Sequence, residues 1–152
     1  MNEHRIGIFI SHSWSYTKHY DVLSDWIFDG NWGVGQAPNR IPINFVDLSI
    51  PKDDPIHNAP NAQALQQAIY EEIAKSHIVV IPTGMYASHS KWIGKEIEGA
   101  QGNCPILAVN PWGQEKKSSV VVDNATDSVG WKKKSVVEKI WSLYDKYYRQ
   151  TA

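Results

Sequence analysis

After its histidine, the run His77–Ile81 (HIVVI) is wholly apolar. A strand with no polar face has to be covered on both sides, as in a parallel sheet held between two layers of helices. Three more short runs read as strands: Arg5–Ile10 (RIGIFI), Ile41–Asp47 (IPINFVD) and Pro105–Val109 (PILAV). Ser118–Val122 (SSVVV) reads as a fifth, at an edge. The segments between them change period. Thr17–Phe28 carries apolar residues at Tyr20, Leu23, Ile27 and Phe28, and Asn61–Lys75 carries Leu65, Ala68, Ile69 and Ile73 on one face. Ser90–Gln101 reads as a further helix. Lys132–Arg149 is a terminal one that turns Val136, Val137, Ile140, Leu143, Tyr144 and Tyr147 inward. Gly30–Arg40, rich in Gly, Asn and Pro, and Leu48–Pro60, with three prolines and no periodicity, read as loops. Strands alternating with helices predict an α/β fold, a parallel sheet of about five strands with helices on both faces. The 152 residues show no repeat or linker, so residues 1–152 read as a single domain.

Ligands of such sheets sit outside the carboxyl ends of the strands. Those ends are Ser11, His12 and Ser13, then Asp47, then Pro82, Thr83 and Gly84, then Asn110. A net charge of −1 gives no electrostatic case for nucleic acid or an anionic membrane. The one cysteine, Cys104, excludes an internal disulfide and fits a reducing cytoplasm. No stretch is long and apolar enough to span a bilayer.

Glu96 is the most informative single residue. On a helical wheel with Trp92 at zero, Glu96 falls at about 40°, Ala100 at about 80°, Ile93 at about 100° and Ile97 at about 140°. Lys95, Glu98 and Gln101 occupy the remainder. One carboxylate thus sits within the apolar arc, where an unpaired charge is costly and a raised pKa or a bound partner is the usual response. Two readings stand: a site residue in the cleft after the third strand, or a carboxylate at the margin of the arc that pairs with a lysine or a backbone amide.

Other motifs carry less. Trp32-Gly33-Val34-Gly35 holds a G-x-G with no third glycine and no helix after it, the pattern of a flexible loop. The six histidines lack metal-ligand spacing, and only His12 falls at the sheet rim. Cys104 reads as a structural thiol, and Lys132-Lys133-Lys134 as a solvated face. Asp47 lacks the further acidic groups that a phospho-acceptor site needs to hold a metal, and otherwise reads as a turn former.

Taken together, IFISHSW, FVDLS, SHIVVIPTGMYASHSKWIGKEIEGA and PILAVNPWG resemble a TIR (Toll/interleukin-receptor) domain, more narrowly the bacterial TIR-like domains of Thoeris antiphage systems. The family's Ser-x-Trp-x-x-x-Glu motif is filled by Ser90, Trp92 and Glu96. The resemblance implies a three-layer flavodoxin-like fold. It also implies cleavage of NAD between nicotinamide and ribose, with a cyclic ADP-ribose-type signal made for a separate effector protein. Glu96 is then the catalytic carboxylate, and Ser11, His12, Asp47, Thr83, Ser90 and Trp92 line the substrate site. NAD is substrate; no metal or added cofactor is implied. Self-association through TIR–TIR contacts is implied as well. Two rival readings remain: a non-catalytic TIR scaffold, and a nucleoside deoxyribosyltransferase-like enzyme, which shares the layered fold and a glutamate at a ribose.

Overall fold

The computed structural model describes residues 3–10, 18–49, 62–82, 97–101, 104–110 and 123–149. Its strands are β1 (His4–Ile10), β2 (Gly33–Val34), β3 (Ile41–Asp47), β4 (Ile78–Pro82), β5 (Ile106–Asn110) and β6 (Asp127–Gly130). Its helices are α1 (Lys18–Phe28), α2 (Ala62–Lys75) and α3 (Lys133–Tyr144), with residues 97–100 also helical. The strands form one sheet in the order β2-β3-β1-β4-β5-β6. Every neighbouring pair is parallel except β2–β3. The predicted α/β architecture is what is found, and the order of the five parallel strands is that of a flavodoxin-like sheet.

The side-chain period of two divides the central strands between two cores. Ile6, Ile8 and Ile10 of β1, Ile78 and Val80 of β4, and Leu107 and Val109 of β5 face α1 and α3. Phe9, Val79, Ile81, Ile106 and Ala108 face α2 and the helical residues 97–100. β4 is buried at every position, as its apolar run requires. The helices bury the stripes their period dictates: Leu23 and Ile27 of α1, Ile69 and Ile73 of α2, and Val136, Val137, Ile140 and Leu143 of α3. The Leu65 and Ala68 side chains and that of Tyr20 lie outside the described residues.

Three expectations are corrected. Gly33–Val34 is not loop but a short antiparallel strand against Ile41–Pro42. Two residues are too few to display a period. The positive φ of Gly35, 86°, ends the strand in a conformation open to glycine. The edge strand beyond β5 is Asp127–Gly130, a segment outside the strands expected from sequence. Its sequence DSVG is polar because most of it is exposed. Backbone pairing holds it, helped by Thr126, whose Oγ1 accepts the Ile106 N–H at 2.9 Å, and by a Lys139–Asp127 ion pair at 3.1 Å. The strand expected at 118–122 lies outside the described residues. Finally, Tyr147 is exposed rather than inward. Residues Asp145–Arg149 wind as a π-helix, which changes the phase and turns Tyr148 inward instead.

Candidate functional site

The carboxyl ends of the parallel strands share one edge of the sheet. Among the described residues that edge comprises Ile10, Asp47 with Ser49, Pro82, Asn110 and Gly130. The chain passes from β1 to β3 on one side, then through α2 to β4 on the other side of β1. The strand order therefore reverses between β1 and β4, and the crevice of an open α/β sheet opens at such a reversal. Ile10 immediately precedes Ser11, and Pro82 immediately precedes Thr83. Ile10 is in register with Val80, so β4 runs two residues further towards this edge.

Polar bonds tie the β3 end of the rim to the β1 end. The Leu48 N–H donates to the Ile8 carbonyl at 2.9 Å, which extends the β1–β3 ladder past the strand end. Asp47 Oδ1 accepts the Ser49 N–H at 2.9 Å, the turn that an Asp at this place favours. The Ser49 hydroxyl accepts the Ile10 N–H at 2.8 Å. Ser49 is buried, so this bond is sheltered from water. The backbone that leads into Ser11 is thereby fixed to the backbone that follows Asp47. Sequence reasoning missed Ser49; the signal was the Asp-x-Ser spacing at a strand end.

Of the site residues expected from sequence, the described part contains Asp47 alone. It stands exposed at the rim as a turn former. Ser11, His12, Thr83, Ser90, Trp92 and Glu96 lie outside the described residues. The helix expected to carry Glu96 is described from residue 97. Ile97 and Ala100 are buried in the second core and Glu98 is exposed, as the wheel requires. Gly99 packs close to α2: a Cβ there would stand 2.8 Å from the Tyr70 ring. The Cys104 N–H donates to the Ala100 carbonyl at 2.9 Å. Burial pushes the Cys104 thiol up to about 11, so it stays protonated at neutral pH and has the structural character expected of it.

His77 lies away from the rim, just before β4. Its Nδ1 accepts the Gly7 N–H at 2.8 Å, and the rings of Tyr144 and Tyr148 meet it edge-on at 5.2 and 4.9 Å. Burial lowers its pKa, which keeps the ring neutral with its proton on Nε2. Among the described residues no group of three or more His, Cys, Asp or Glu side chains is arranged to hold a metal ion. No helix among them is long and apolar enough to cross a membrane.

The family model described as Thoeris protein ThsB, TIR-like domain, matches residues 9–116. No curated protein matches the chain. The matched span runs from the end of β1 through β5 and takes in the rim from Ile10 to Asn110, the α2 face and the whole Ser90–Glu96 motif.

Proposed function

We propose that this chain, which belongs to the TIR-like domain family of the Thoeris protein ThsB, cleaves NAD between nicotinamide and ribose and makes from it a cyclic ADP-ribose-type signal for a separate effector in antiphage defence. The observation that carries this reading is the inward face of the helical residues 97–100. On the wheel, Glu96 falls between the directions of Gly99 and Ala100, and both of those residues are buried. The segment that bears Glu96 leaves β4, one of the two strands that flank the crevice.

The chemistry suits a single carboxylate. Departure of nicotinamide leaves oxocarbenium character on the ribose, as in glycoside hydrolysis. Glu96 accepts hydrogen bonds from ribose hydroxyls and stabilises the developing positive charge, more strongly where water is excluded. Nicotinamide departs neutral from a cationic ring, so no strong general acid is required. Trp92, one turn before Glu96, walls the pocket or stacks on a ring. Ser11, His12, Thr83 and Ser90 contact the ribose or phosphates. Asp47 borders the site while it holds the turn to Ser49. Copies of the chain associate through TIR–TIR contacts and complete the site.

The test is NAD incubated with concentrated protein, resolved by chromatography with mass detection, with Glu96→Gln in parallel. The wild type releases nicotinamide and the variant does not, while both keep the same circular dichroism. The mass of the second product separates cyclisation from hydrolysis. Equal release by both proteins removes Glu96 from the mechanism. No release by wild type at concentrations that favour assembly returns the scaffold reading.

A further inference from the structure

We propose that the groove between β2 and α3 is a second ligand site, for a flat heteroaromatic ring that carries an anionic group, of nucleoside-monophosphate size. The groove has a volume of about 470 Å³, within the range of small-molecule sites. Trp32, Ile43, Val137 and Trp141 form its walls, and Lys134 and Glu138 stand beside them.

Both indoles are held by groups other than a ligand. Trp32 Nε1 donates to the Trp26 carbonyl at 3.0 Å, and the Trp32 backbone carbonyl accepts the Ile43 N–H at 2.9 Å. Trp141 lies against the His4 ring at 4.8 Å and under the Arg149 guanidinium at 5.2 Å. A pocket whose aromatic walls are already ordered loses little entropy when a ring enters. A groove lined by two indoles suits a flat ring, because aromatic groups pack favourably against one another.

The charges choose the rest of the ligand. Lys134 and Glu138 are one helical turn apart and exposed, and neither forms an ion pair or hydrogen bond among the described residues. Lys133, next to Lys134 in the chain, adds a second ammonium beside the Trp32 wall, 5.7 Å from its ring centroid. Two cations against one carboxylate favour an anionic substituent, which Lys134 meets, while Glu138 accepts from ring N–H groups or sugar hydroxyls.

This site is separate from the proposed NAD site. The groove lies on the α1 and α3 side of the sheet. The helical residues 97–100, which follow Glu96, pack on the other side with α2. The inference therefore stands whether or not Glu96 is catalytic.

AMP is the probe, with adenosine and ribose 5-phosphate as its halves. In nitrogen-15 spectra, with indole signals assigned by single Trp→Phe variants, AMP shifts the N–H signals of Trp32 and Trp141. Lys134→Ala, a change at an exposed helix position, weakens AMP about three- to tenfold. It leaves the weaker binding of adenosine unchanged, and ribose 5-phosphate alone does not shift the indoles. Glu96→Gln leaves AMP affinity as it was. The proposal is overturned if the Trp32 and Trp141 signals stay still at millimolar AMP, if Trp92 responds in their place, or if Lys134→Ala binds AMP as tightly as wild type.

Discussion

The Ser49 hydroxyl is the acceptor for the last backbone N–H of β1, and burial shelters that bond. Ser49→Ala leaves the Ile10 N–H buried without a partner, which costs about 1–3 kcal/mol. Urea unfolding reads that loss as a lower midpoint at unchanged slope. An unchanged midpoint means that another acceptor replaces the hydroxyl. Because Ile10 leads into Ser11, the proposed NAD cleavage predicts that the same variant should lower the rate of nicotinamide release in folded protein, whereas an exposed neighbour such as Asn44→Ala should not. Asp47 was legible as a strand end because IPINFVD stops at a charge, and its turn-forming role followed from residue type. The Asp-x-Ser spacing marked the turn at Ser49, but not the bond from its hydroxyl to β1, because that contact is with a strand 39 residues away. The buried face at Ile97 and Ala100 was legible through helical period, a local property, whereas Glu96 itself lies outside the described residues. The groove was missed because Trp32 and Trp141 come together only after folding.

The contact between β4 and the end of α3 carries a pH dependence with a defined sign. Burial lowers the His77 pKa, and Gly7 donates to the Nδ1 that protonation would occupy. His4 is lowered too, first by burial and then by Arg149, with Asp145 opposing. An unfolded histidine titrates near about 6.5, so just below that pH the unfolded chain binds more protons than the folded one. Stability therefore falls as pH drops below 6.5, until the folded imidazoles themselves protonate. Asp127, held low mainly by the Ser128 N–H, acts in a separate window, losing its contribution as pH falls below the usual carboxylate range. Thermal melts from pH 7.5 to 5.5 should show the histidine loss. His77→Asn, which keeps an acceptor for Gly7 without titrating, should flatten the slope. A melting temperature independent of pH across that interval would refute the assignment. Of the strands that sequence revealed, β1, β4 and β5 are those whose burial demands apolar runs, while β3 showed through its β-branched and aromatic residues although only Phe45 is buried. β2 and β6 escaped because backbone pairing, which leaves no mark on composition, forms them. The inward turn of Tyr148 escaped because a π-helix breaks the period on which the reading depended.

Burial of the sheet on both faces divides the molecule's stability unequally between centre and edges. β4 and four of five β5 positions are buried, whereas β6 is largely exposed and β2 is only two residues long. Opening β4 uncovers side chains in both cores at once, since Ile78 and Val80 belong to one and Val79 and Ile81 to the other. Its amides should therefore exchange with solvent only through global unfolding, while those of β2 and β6 exchange through local fraying. Deuterium exchange followed by mass spectrometry should rank β4 with β1 and β5 as most protected, ahead of β3, then β6 and β2. Ile81→Ala, a fully buried site, should cost about 2–5 kcal/mol. It should speed exchange in β1, β4 and β5 together while β6 hardly changes, because β6 already opens below the global limit. If β6 proved as protected as β4, the edge would have to be covered in solution by a further part of the chain or by a second copy. The carboxyl-end crevice lies between β1 and β4, two of the three strands expected to open last. The proposed reaction, which relies on a carboxylate held within small tolerances of a ribose, would gain from that placement, since the walls of the crevice then share the stability of the whole fold.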